Sequence, residues 1–199
     1  MLHPDDADLV VGGNRFDSLE FGTLYFATDL EGCFAETLAR FRPSARMLAA
    51  LEDDPDWRDR GFMAPGGVPA DWRHRRIALR ARIGPRARFL DVEAPETQMV
   101  LTEELARELD ELGVERLDVA IVRGHDRRVT RLLADWAYGA IDSAGQPAFA
   151  GIRYVSRLGE HECWAIFERS TLEVVERRTI TLSMAPLQRT SASFGLRVF

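Results

Sequence analysis

Four side chains in this sequence have types and settings that could do chemistry. Glu36 is a carboxylate whose helical neighbours are Gly32, Ala35 and Ala39, where a solvated helix face would carry charged residues. Arg15 follows Gly12-Gly13-Asn14, and its guanidinium can hold a phosphate or a carboxylate through two parallel hydrogen bonds. Tyr25 stands in the apolar run Leu24-Tyr25-Phe26-Ala27, and its ring can stack on a flat ligand. Ser156 follows Gly151-Ile152-Arg153-Tyr154-Val155 and offers a hydroxyl. Each residue also has a plain reading. Glu36 can pair with Arg40 at i,i+4 in water, Arg15 can pair with Asp17 or Glu20, Tyr25 can be core, and Ser156 can belong to a turn.

The elements that must position these residues follow from patterning. Thr28 and Glu31 have capping-box spacing and Pro43 cannot continue a helix, so a helix is predicted over 29–42. Leu30, Phe34, Leu38 and Phe41 form its core side with Cys33 beside them, and the small residues around Glu36 lie opposite. Ser44 caps a second short helix with Met47, Leu48 and Leu51. Residues 53–73 then lose all periodicity and read as a long loop, a lid or the cover of a sheet edge, with Trp57, Phe62, Met63 and Trp72 packing down.

Alternation predicts a strand over 76–83 with Ile77, Leu79, Ala81 and Ile83 inward, and another over 87–92 with Phe89 and Val92 inward. Thr102 caps a helix to Leu112 on a Leu105-Leu109-Leu112 stripe, and Gly113 stops it. Leu117–Val122 reads as a short strand. Residues 126–141 read as a helix buried through Val129, Leu132, Leu133, Trp136 and Ile141. Strands are expected at 151–155, 163–167 and 174–182, while the stretch from Ala185 onward shows no clear pattern.

Helices and strands mix without regular βαβ alternation, and no Gly-x-Gly-x-x-Gly or phosphate loop is present, which predicts an α+β fold. The 199 residues suit one domain with one core. Its 32 acidic residues against 26 basic give a net charge of −6, which disfavours direct binding of nucleic acid or anionic lipid. All 26 cations are arginines, so Schiff-base lysine chemistry is excluded within this sequence. Cys33 and Cys163 read as buried thiols, and the scattered His3, His74, His125 and His161 have no metal-ligand spacing, so no metal is expected. No secretory leader pattern or membrane-length apolar run is seen, and a cytoplasmic location is expected.

Arg15, Tyr25, Glu36 and the string Gly-Ile-Arg-Tyr-Val-Ser at 151–156 together resemble the RES family, named for its Arg, Glu and Ser. The likeness spans about 145 residues, from the N-terminal glycines to Ser156. It implies one domain over 1–199, with its motif-bearing part at about 12–168, and a split mixed β-core resembling ADP-ribosyltransferases with NAD in its cleft.

The implied activity is cleavage of the nicotinamide–ribose bond of NAD, as a phosphorylase or glycohydrolase acting as the toxin of a toxin–antitoxin pair. The partners implied are NAD, inorganic phosphate and a cognate antitoxin protein. Glu36 would stabilise the ribosyl cation, Arg15 would hold the diphosphate with Arg40 and Arg153 as further binding cations, Tyr25 would stack, and Ser156 would orient Glu36 or the ribose. All would meet at one cleft. Many members carry a histidine where this sequence has Arg40, which leaves the acceptor open between water and phosphate. The alternatives are an ADP-ribosyltransferase modifying a protein target and a non-catalytic binding protein.

Overall fold

A computed structural model of the chain describes residues 13–54, 56–57 and 63–199. Gly12, His3 and Phe62 lie outside the described residues. In chain order the elements are β1 (Thr23–Ala27), α1 (Leu30–Leu38) continued by a 3-10 turn at Ala39–Phe41, α2 (Ala45–Glu52), β2 (Gly67–Val68), α3 (Ala70–His74) and β3 (Ile77–Ile83). There follow β4 (Phe89–Asp91), α4 (Pro95–Glu104), α5 (Ala106–Glu111), α6 (Val119–Val122), α7 (Arg127–Gly139), β5 (Gly151–Val155), β6 (Glu162–Phe167), β7 (Leu172–Thr179), α8 (Ala185–Ser193) and β8 (Arg197–Val198). The fold is α+β with mixed sheets, as patterning predicts.

The chain divides into two compact units. The first comprises the described residues up to Thr28 together with Arg82–Glu173, and the second comprises Asp29–Ala81 and Val174–Phe199. Apolar burial accordingly falls in two clusters, where chain length alone suggests one core.

In the first unit four strands lie in the order β1-β6-β5-β4, antiparallel except for the parallel β4–β5 pair. Paired residues point to the same side of a sheet and neighbours along a strand to opposite sides, so register fixes which side chains can meet. Tyr25, Ala165, Ile152 and Leu90 form one row, and Ala27, Cys163 and Tyr154 form the next on the same face. That face is covered by Leu101, Leu109, Val122, Val129 and Leu133 of α4 to α7, all nearly solvent-free. Phe26, Trp164, Arg153 and Asp91 form a row on the opposite face.

The second unit is built on Phe34 and Leu38 of α1, with Val68, Trp72, Ala78, Ile180 and Leu187. Helix α8 lies along α1: Arg189 Nε–H donates to Glu31 Oε2 at 2.7 Å and the Thr190 hydroxyl to the Glu31 carbonyl at 3.4 Å. Strands β2 and β8 pair in parallel, and β3 and β7 form a separate two-stranded ribbon.

Several predicted details are corrected. The cap of α1 is Asp29, whose Oδ1 accepts from Gly32 N–H at 2.7 Å, and Thr28 instead donates to Glu162 and accepts from Trp164 Nε1–H. Gly32 and Ala35 are buried, so only Glu36 of that small-residue face lies open. The stretch 53–73 contains β2 and part of α3, with Trp72 in the second core. In the first half of β3 the expected burial is reversed, Ala78 being buried while Ile77 and Leu79 are exposed, whereas further along Ala81 and Ile83 are half-buried and Arg80 and Arg82 exposed, as the alternation predicts. Leu90 is buried in β4, whereas Phe89 packs edge-on against Trp164 on the outer side.

The helix read from Thr102 begins at Pro95. Thr102 lies inside it, bonding the Gln98 carbonyl and accepting from Leu117 N–H. The strand read at 117–122 is helix α6, because the Asp118 carboxylate accepts from Ile121 N–H and starts a helical turn. Ile141 is exposed beyond the end of α7, and Cys33 is only partly buried. The ribbon strand β7 starts and ends earlier than 174–182, and the unassigned tail forms α8 and β8.

Candidate functional site

The entry loop of the first unit is held by Tyr25. Its hydroxyl donates to Asp17 Oδ1 at 2.8 Å and accepts from Phe16 N–H at 3.0 Å, while Asp17 Oδ2 accepts from Asn14 N–H at 2.7 Å. Burial, with the Asp17 carboxylate beside it, pushes the phenol far above its ordinary range, so Tyr25 acts as a hydrogen-bond donor and not as a base. Because the loop is tied to the centre of β1, Arg15 is carried inward.

Arg15 is buried, with 7% of its surface exposed. Its Nη2–H donates to the Val122 carbonyl at 2.6 Å and its Nη1–H to the Val155 carbonyl at 3.2 Å, and its head lies 5.2 Å from the Phe16 ring centre and 4.9 Å from that of Tyr154. One guanidinium thus ties the entry loop to the end of α6 and the end of β5. Ser156 follows directly. It is buried, its N–H donates to the His161 carbonyl at 2.8 Å, and its Oγ accepts from Leu158 N–H at 3.0 Å, which closes the β5–β6 turn.

Arg15, Tyr25 and Ser156 are therefore gathered around the same edge of the first unit. Arg153 lies on the opposite face of the sheet, between two carboxylates. Its Nε–H donates to Glu162 at 2.9 Å and its Nη1–H to Asp91 at 3.2 Å. Glu36 and Arg40 belong to the second unit. Both are exposed, Glu36 on the last turns of α1 and Arg40 in the 3-10 turn with its head 4.9 Å from the Phe41 ring centre.

Three arginines of the first unit escaped the reading of the sequence. Arg127 and Arg131 lie one turn apart on α7, and Arg157 follows Ser156. A signal was available: Arg123, Gly124, Thr130 and Arg131 stand at i±3 and i±4 of Arg127, so no acidic neighbour on its helix can neutralise it. In the sequence Asp17 reads only as an ion-pair partner of Arg15, and its observed place under the Tyr25 hydroxyl depends on a tertiary contact.

The sequence matches the RES domain family over residues 6–185, nearly the whole chain, and the protein belongs to that family. No curated protein and no solved structure matches it, so the likeness to ADP-ribosyltransferases rests on the family resemblance alone. Among the described residues no helix is long and apolar enough to cross a membrane.

Proposed function

We propose that this RES domain consumes NAD by cleaving the bond between nicotinamide and ribose, with phosphate or water as acceptor, and that it acts as a toxin held by a cognate antitoxin. The observation that carries the proposal is membership of the RES family across the chain, with Arg15, Tyr25 and Ser156 tied into one hydrogen-bonded edge. Bond breaking at the ribose passes through an oxocarbenium-like state, and a carboxylate stabilises that cation most when it is fully developed. Glu36 is assigned this role. It is exposed on a helix whose other face is buried, so replacing it does not disturb a core.

Arg15 is assigned to positioning. Its bonds to the carbonyls of Val122 and Val155 occupy the fork that would otherwise hold a phosphate. Tyr25 supplies a rigid aromatic wall and keeps its proton throughout.

The test is proton NMR of NAD mixed with the purified protein, with and without phosphate. Nicotinamide should appear, and a phosphate requirement would identify the acceptor. Glu36→Ala should fold as the wild type and lose roughly 100-fold or more of the rate. A fully active Glu36→Ala would refute the assignment, and label from NAD appearing on protein would replace cleavage by ADP-ribosyl transfer.

A further inference from the structure

In the first unit both backbone polar groups of one residue are held by charged side chains from distant parts of the chain. Val155 is the last residue of β5, and Ser156 comes next. Its carbonyl accepts from Arg15 Nη1–H at 3.2 Å, and its N–H donates to Glu93 Oε1 at 3.1 Å. Glu93 lies just past β4, whose parallel pairing with β5 runs on through Val92 N–H to the Arg153 carbonyl at 3.3 Å. The turn that follows this edge strand therefore brings Glu93 alongside Val155. Only 8% of its side chain is exposed.

Arg123, directly after α6, completes the arrangement. Its Nε–H donates to Glu93 Oε2 at 2.9 Å and Oε1 at 3.2 Å, and its Nη2 lies 2.8 Å from Oε2. The residue before it is Val122, whose carbonyl accepts from Arg15 Nη2–H at 2.6 Å. Hydrogen bonds and chain thus close a circuit from Arg15 to Val155, on to Glu93 and Arg123, and through one peptide to Val122 and back to Arg15. A shift of any member strains two bonds at once, and a forked pair fixes orientation as well as distance. A buried ion pair adds little net stability, because desolvation offsets its attraction, whereas breaking one partner away is costly. What this pair supplies is placement.

We propose that Glu93 and Arg123 are positioning residues, which set the Arg15 fork and the Ser156 hydroxyl without themselves touching substrate. Ser156 cannot move independently of Val155, since its own N–H is bonded to the His161 carbonyl at 2.8 Å and its Oγ accepts from Leu158 N–H at 3.0 Å. Where Glu93 holds Val155, the β5–β6 turn follows. The catalytic consequence of this placement rests on the NAD-cleavage reading, in which Arg15 and Ser156 serve the reaction.

The test combines steady-state nicotinamide release from NAD with amide hydrogen exchange read by NMR, on the full chain as wild type, Glu93→Gln and the double variant Glu93→Gln/Arg123→Gln. The double variant removes both charges together, so neither is left buried without its counter-charge. Each variant should lose about tenfold or more in kcat while KM stays within about threefold, because misplacing groups around the reaction costs rate more than ground-state binding. Leu158 N–H should exchange about tenfold or more faster, while Leu133 N–H in the buried part of α7 keeps its rate. A pair that merely stabilises the fold would lower the melting temperature and speed both amides together, with kcat unchanged where the variants remain folded. That pattern overturns the proposal. A wild type that releases no nicotinamide removes the NAD reading, and exchange then decides alone: selective loss of protection at Leu158 upholds the positioning of Ser156, and wild-type protection there overturns it.

Discussion

A hydroxyl placed between a carboxylate and a backbone amide leaves both unsatisfied when it is removed. Tyr25 holds such a position under Asp17 and Phe16 N–H, so Tyr25→Phe should cost about 1–3 kcal/mol in urea unfolding although only one oxygen is lost. A change within experimental error would mean that Asp17 finds water instead. Residue types were readable from the sequence, and their partners were not. Arg15, Tyr25 and Ser156 stand out by their setting in the chain. That Arg15 would grip two carbonyls drawn from residues more than a hundred positions away is a tertiary fact with no local cue. Arg127 offers only a weak cue, the lack of an acidic neighbour one turn away, since an arginine on an amphipathic helix reads as solvated until something packs over it.

At the scale of elements, patterns long enough to show their period were legible and short ones were not. Strands 151–155 and 162–167 and helix α7 appear close to where alternation and the 3.6-residue stripe put them. The four residues of α6 are too few to distinguish a helical from an extended apolar run, and only the Asp118 cap decides. Pro95 at the first turn of α4 was a usable start signal, overshadowed by Thr102, whose hydroxyl back-bonds within the helix. Gly113, with φ of +73°, does end its helical segment as read.

Where two strands approach closely, a single methyl group is decisive. A Cβ on Gly151 would run into the Ala165 carbonyl and lie 3.0 Å from both Ile166 Cα and a Phe89 ring carbon. Backbone cannot yield there without breaking the β5–β6 pairing, and Gly151→Ala should lose about 3 kcal/mol or more of stability in thermal unfolding. Because β5 leads directly to Ser156 and accepts the Arg15 fork at Val155, the same substitution should also reduce the rate of nicotinamide release.

At the scale of the molecule, neither unit is a continuous piece of chain. The first takes residues from both sides of the second unit's early segment, and the second is completed only by residues from Val174 onward. Those residues bring Ile180 and Leu187 against Phe34 and Leu38. Truncation after Glu173 should therefore leave the first unit's strands intact while baring the apolar side of α1, giving strong binding of a hydrophobic dye. A truncated chain that binds no more dye than the full protein would show that α1 finds another cover.

This threading also sets an order of events on the ribosome. Every residue of the first unit has been synthesised before Val174 is added, whereas α1 must wait for α8 before its packing is complete. If Glu36 is the group that makes NAD cleavage possible, the nascent protein finishes the helix that bears it last, so a stalled or prematurely released polypeptide would lack a completed setting for that chemistry.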